Sequence, residues 1–265
     1  MADHLTDIAA ALISLGINLS RMTKDMLFWA TQESNAIRID DSFIQISSIM
    51  PQKRNPVVLE HLRARLSRLL GQAQSVVTQC HNIPYGDTQD IEDEILPSLF
   101  NALATVIEIV ELYEAVFATL TLNVEHLQAQ AAAGFTTVTE LADTLVREAK
   151  LPFRTAHHIV AQLVQHMTRE GLTPDDVDLD LLNEIAQPIV NKPLSLTQEA
   201  LNQALDPVAF VQVRNTLGGA SPSATAQVLR GLQDSFQIHD NWLQAEQNRL
   251  TVAEANLQQA SQAFL

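Results

Sequence analysis

The stretch from Ser47 to Pro56, SSIMPQKRNP, gathers two hydroxyls, two cations and an Asn-Pro pair into ten residues. Asn55-Pro56 reads as a helix start, with Asn as the N-cap and Pro at the first helical position. The free amides and positive dipole end of such a helix favour an anion. Lys53 adds a full charge two residues before the cap, and Ser47 and Ser48 bring hydroxyls on the same loop. Glu60 falls about one turn into the helix, where it can face back toward the loop. Together these residues form a cradle for a carboxylate or phosphate, with a hydroxyl aimed at whatever is held. A capped loop with solvated cations fits the same residues equally well.

The elements that must position this loop are long helices. Three stripes step by four and three: Ile8, Leu12, Leu15, Leu19, Met22, Met26, Trp29; then Leu59, Leu62, Leu66, Leu69, Ala73, Val76, Cys80; then Leu99, Leu103, Val106, Val110, Tyr113, Phe117, Leu120. Each predicts about six helical turns, and helices of that length with such stripes pack side by side in a bundle. Asp3 or Thr6 is the expected cap of the first. Gly134 breaks the periodicity, and shorter helices are predicted at roughly 137–149, 153–170, 178–187 and 195–204, punctuated by Pro152, Pro174, Pro188 and Pro193. Leu229, Phe236, Leu243, Leu250, Leu257 and Phe264 then recur every seven residues, predicting one long C-terminal helix against a partner surface. No strand-type alternation stands out. The expectation is an all-α chain: a long-helix bundle over 1–133 with the loop 46–56, a small helical domain over 134–224 and a helix over 225–265.

Composition narrows the function classes. Hydrophobic residues make up 46% of the 265 positions and charged residues 18%, which is globular. A net charge of −15 disfavours nucleic acid and anionic membranes as partners. Cys80 is the single cysteine, so no internal disulfide can form. No uninterrupted apolar run approaches a membrane span, and the N-terminus lacks a signal-peptide layout. The expected compartment is the cytoplasm.

Other groups carry less. His157 and His158 point about 100° apart on a helix and chelate poorly, so no metal site is expected. The acidic run Asp87, Asp90, Glu92, Asp93, Glu94 lacks calcium-loop spacing and reads as a solvated loop. His61 reads as a surface residue, Cys80 as an inert thiol, and Arg63, Arg65 and Arg68 as a solvated face.

SSIMPQKRNP with Glu60 resembles the third signature region of the fumarase/aspartase superfamily, S-S-x-M-P-x-K-x-N-P-x-x-x-E. The Gln-Lys pair resembles argininosuccinate lyase in particular, and AAGFTTVTELADTLV, LPFRTAHHIV and LDPVAFVQVRNTLGGASP are similar to that family's C-terminal domain. The resemblance implies a carbon–nitrogen lyase of arginine biosynthesis that uses no cofactor. It implies Ser47 as the base that takes a proton next to a carboxylate, with Lys53 and Asn55 holding that carboxylate and its aci-carboxylate intermediate. It makes Glu60 the partner of a catalytic histidine from another region, and places Ser48 and Met50 among the substrate-binding residues. It also implies a homotetramer whose sites combine three subunits.

Two departures qualify this expectation. The family's two upstream signature regions have no counterpart in these 265 residues, so the chain alone is expected to be inactive without a polypeptide carrying them. The family's substrate-gripping Y-N-x-D-x-Q-E-D-K is matched by YGDTQDIED, where Asp90 and Asp93 stand for Gln and Lys beside Tyr85; Ile46 also replaces the glycine that usually precedes the serines. The expected substrate is therefore a dicarboxylate or amino-succinate, with a paralogue of different specificity or a non-catalytic oligomerisation scaffold as alternatives.

Overall fold

The structure, a computed structural model, describes residues 2–50, 52–86 and 88–263. Its described residues are mostly helical, with four two-residue strands among them. The chain forms two compact units, Met1–Leu127 and Gln128–Leu265. The division falls ahead of Gly134, inside a helix that the stripes do not reveal.

The first unit is built on α1 (Asp3–Trp29), β1 (Ile37–Arg38), β2 (Gln45–Ile46), β3 (Arg54–Asn55), α2 (Val57–Cys80), α3 (Leu96–Thr119) and β4 (Thr121–Leu122); α4 (Val124–Ala133) crosses the division. α2 lies between α1 and α3 and buries the stripe expected of it: Leu59, Leu62, Leu66, Leu69, Ala73 and Val76, with Val58 added. Arg65 and Arg68, expected as a solvated face, reach Glu108 on α3 at 2.8 and 3.1 Å. The Tyr113 hydroxyl donates to the Leu19 carbonyl at 2.8 Å and also bonds Thr23, tying α3 to α1 in the core.

α1 and α3 depart from their stripes. α1 buries Leu5, Ala9, Leu12, Gly16, Thr23 and Met26, leaving Ile8, Leu15 and Trp29 exposed. α3 buries Leu99, Ala102, Thr105, Ile109, Tyr113 and Val116, while Val110 and Phe117 face out beside Phe100 and Ile107. Both helices are apolar on two faces, so the 3–4 stepping can be phased either way, and one face packs while the other stays open. The same double-faced character makes Asp3–Trp29 and Ile91–Thr119 long and apolar enough to cross a membrane by length and composition, which a search for uninterrupted runs misses. The N-cap of α1 is Ala2, not Asp3 or Thr6.

Ahead of α3, Ile91–Ile95 forms a π-turn. Pro97 has no amide to offer the Asp93 carbonyl, and the wider turn accommodates that missing bond.

The second unit contains α5 (Val138–Arg147), α6 (Phe153–Glu170), α7 (Leu179–Val190), α8 (Gln198–Leu205), α9 (Pro207–Gln212) and α10 (Pro222–Gln262). Leu141, Leu145, Ile159, Leu163, Leu182 and Leu201 form its core. α6 has the bounds its pattern predicts and ends on Gly171 in the left-handed region (φ 70°). α7 runs through Pro188 to Val190 before Asn191 turns left-handed (φ 51°). Glu140 on α5 is a buried carboxylate clamped by Arg147 and Arg214. Burial alone raises its pKa, but hydrogen bonds from Arg214 and Arg147 win and hold it below the ordinary glutamate range. Arg214 also stacks on Phe210, its guanidinium carbon 4.4 Å from the ring centroid.

Candidate active site

The signature stretch is a hairpin. β2 and β3 pair antiparallel, Gln45 opposite Asn55 and Ile46 opposite Arg54. Ser47 follows β2 and Lys53 precedes β3 at the mouth of the loop, where the Lys53 amide donates to the Met50 carbonyl at 2.9 Å. The Ser47 Oγ accepts from the Ile49 and Met50 amides at 3.3 and 3.2 Å. A hydroxyl oxygen already receiving two amides is set up to carry negative charge.

Asn55 does not cap α2. Its backbone is held extended in β3, the N-cap is Pro56, and no side chain bonds the first-turn amides. The first amides that turn back are those of Leu59 and Glu60, both to the Pro56 carbonyl. The amides of Val57 and Val58 therefore have no partner among the described residues, at the positive end of the helix. The missing side-chain cap leaves these donors without the partner that an Asn55 cap would have supplied.

Beside this helix end lies an open cleft of about 760 Å³ lined by Asn35, Arg38, Met50, Gln52, Lys53, Arg54 and Glu60, among others. Arg54 is engaged: it bonds Asp41 and donates to the Ile39 carbonyl at 3.3 Å. Asp41 also meets Arg38 at 3.5 Å, and the Arg54 hydrogen bond holds its carboxyl below the usual range. Lys53 makes no ion pair among the described residues, so it is the cation of this cleft with its charge uncommitted. Arg38 reaches the cleft because β1 pairs with β4, Ile37 opposite Leu122, anchoring the α1–α2 connection to the end of α3.

Among the expected site residues, Met50, Lys53 and Glu60 line one cleft; Ser47 lies on the same loop but does not line it. Ser48 is exposed on the same loop and Asn55 half-buried at its base. Tyr85, Asp90 and Asp93 are not there. They follow the far end of α2, whose 24 residues span about 36 Å. Tyr85 is fully exposed, and Asp90 and Asp93 stand at the π-turn. Asp87 and Pro51 lie outside the described residues. No cluster of His, Cys, Asp or Glu suited to a metal occurs among the described residues. His157 and His158 are both exposed, and Cys80 is half-buried with its thiol pKa pushed up by burial. The lining residues Asn35 and Arg38 carry no local signal, because only the fold brings them to the loop.

A family profile described as "Lyase" matches residues 1–71, and one described as "Argininosuccinate lyase C-terminal" matches 135–212. The chain is 35% identical over 241 residues to an argininosuccinate lyase of Methanosarcina acetivorans, covering 90% of this chain and 48% of that one. It is 33% identical over 255 residues to an argininosuccinate lyase of Methanococcus maripaludis, covering 96% and 51%. The chain thus spans about half the length of the curated relatives it matches. Among solved structures, an EDDS lyase variant with bound fumarate superposes with a TM-score of 0.79 at 28% identity, covering 91% of this chain and 48% of the other. A class II fumarase of Schistosoma mansoni, at 18% identity, a TM-score of 0.59 and coverage of 77% and 39%, shares the fold.

Proposed function

This chain is an argininosuccinate lyase-like member of the fumarase/aspartase superfamily, and we propose that its hairpin and α2 supply one part of a carbon–nitrogen lyase site. The reaction is a β-elimination. Ser47 takes the proton from the carbon next to a carboxylate, the electron pair moves into that carboxylate as an aci-carboxylate, and its collapse expels the amine and leaves fumarate. Lys53 and the Val57 and Val58 amides hold the carboxylate as its charge grows, with Asn55 and Met50 beside it. Glu60 orients a histidine brought by another region.

The observation that carries this reading is a Lys53 that lines the cleft with no ion pair among the described residues, on the same loop as a Ser47 oxygen that receives two amides. A serine of ordinary pKa is a poor base, and these donors together with the cation are what an alkoxide needs.

Tyr85, Asp90 and Asp93, a helix length away, serve the cleft of a neighbouring copy in this reading. The chain then works as a homo-oligomer, a tetramer, whose exposed α1 and α3 faces are the contact surfaces. The acidic pair favours an amino-succinate whose distal end is neutral or cationic, and the EDDS lyase likeness supports a substrate range beyond argininosuccinate. We place the enzyme in the cytoplasm, and in arginine biosynthesis if argininosuccinate proves to be its substrate. The test is fumarate release, followed by absorbance, across a panel of amino-succinate derivatives by the assembled enzyme. Release from none of them sinks the reading.

A further inference from the structure

α10 runs 41 residues and buries only Ala224. Leu229, Phe236, Leu243, Leu250 and Leu257 recur along it every seven residues, exposed by 47% to 71%. Three positions after each come Leu232, His239, Glu246, Ala253 and Ala260. Alternating steps of three and four make one continuous seam, the a and d positions of a heptad, about 46 Å long from Leu229 to Ala260. Phe264, the next position in the repeat, lies outside the described residues.

We propose that α10 pairs antiparallel with α10 of a second copy of this chain, with the twofold axis midway between Leu243 and Glu246. In that register every seam position finds a partner. Leu229 faces Ala260 of the second copy, Phe236 faces Ala253, Leu232 faces Leu257, His239 faces Leu250 and Leu243 faces Glu246. Large side chains meet small ones at the Leu229 and Phe236 layers, which is how a seam fills without voids.

The alternatives are worse on the same residues. A parallel pair stacks Ala253 on Ala253 and Ala260 on Ala260, leaving gaps. It also stacks His239 on His239 and Glu246 on Glu246, burying like groups together. Sliding the antiparallel pair by one heptad one way sets Phe236 on Glu246; sliding it the other way sets Phe236 on Ala260 and Leu243 on Ala253 but leaves Leu229 without a partner. In the proposed register Glu246 keeps its partner on its own helix, since Arg249 holds it at 2.8 Å. Trp242 and Arg249 flank the seam on the same side, so each Trp242 meets Arg249 of the second copy in a cation–π contact, made twice by symmetry.

The experiment uses the 265-residue chain with Cys80→Ser. Phe236→Cys and Ala253→Cys chains, differently tagged and co-expressed, are treated with a short bis-maleimide. The mixture is expected to give covalent dimers at least tenfold above either chain alone. Phe236→Cys chains that cross-link among themselves as well as the mixture does would establish a parallel pair and overturn the proposal. No dimer in the mixture would mean that α10 covers another surface, and overturns it too. Because the seam is exposed, Leu243→Glu/Leu250→Glu should leave helix content by circular dichroism unchanged and cut the mixed cross-link at least tenfold; an unchanged cross-link contradicts the pairing.

Discussion

Lys53 stands just ahead of the first turn of α2 and Tyr85 just beyond its last, so about 36 Å of helix separates them. No small substrate touches both within one chain. If Asp90 and Asp93 read the distal end of a substrate held by Lys53 of another copy, their charges matter only in the assembled oligomer. Reversing a charge about 4–6 Å from a substrate carboxylate changes binding by several kcal/mol at intermediate dielectric. Asp90→Gln/Asp93→Lys should therefore raise turnover of argininosuccinate relative to substrates with cationic distal ends by a hundredfold or more. If the parent already turns over argininosuccinate efficiently and the variant does no better, this loop does not set specificity.

Phe100, Ile107, Val110 and Phe117 present a second apolar face on α3, each at least half exposed. A face of that size needs cover. Ile107→Asp/Val110→Lys should lower the mass seen by light scattering toward that of a single chain while leaving the far-ultraviolet spectrum intact. A parent chain that is already monomeric at micromolar concentration contradicts the assignment of this face.

The Tyr113 hydroxyl gives the α1–α3 contact two hydrogen bonds, a buried one with Thr23 and a part-buried one to the Leu19 carbonyl. Tyr113→Phe keeps the ring and removes both. Urea denaturation should show a loss of about 1–2 kcal/mol. An unchanged midpoint would mean that Thr23 satisfies itself through its bond to the Leu19 carbonyl.

Glu140 makes the second unit sensitive to acid. Its folded pKa lies below its unfolded one, so the unfolded chain takes up the proton first as pH falls. The clamp's contribution is complete above the ordinary glutamate value of about 4.3 and drains away as the pH drops below it. Arg214→Met, which removes one partner of a buried carboxylate, should cost about 3 kcal/mol at pH 7. The difference between variant and parent should shrink below pH 4. A gap that stays constant with pH assigns the loss to the Phe210 packing instead.

The stripe of α2 and the bounds of α6 are legible in the sequence because each helix has one apolar face and clear punctuation. The packed face of α3 is not, because Leu99–Val116 and Phe100–Phe117 are equally apolar and only the neighbours choose. The Gln45–Asn55 hairpin carries its residues in plain view, but its pairing is invisible, since two-residue strands have no periodicity to detect. Asn55-Pro56 has the composition of a cap, and the ladder with Gln45 overrides it. Gly219 shows the same limit: a Cβ there would collide with the Arg214 carbonyl, a constraint known only once the loop closes. The Glu140–Arg214 clamp joins residues 74 apart, a distance no local pattern spans.

The most direct test of the lyase reading is fumarate release by this chain mixed with a polypeptide that carries the histidine-bearing signature region, each alone as the control. Release is expected from the mixture only, lost at least a hundredfold in both Ser47→Ala and Lys53→Met. Release that persists in Ser47→Ala, or that the 265-residue chain achieves by itself, would contradict that reading.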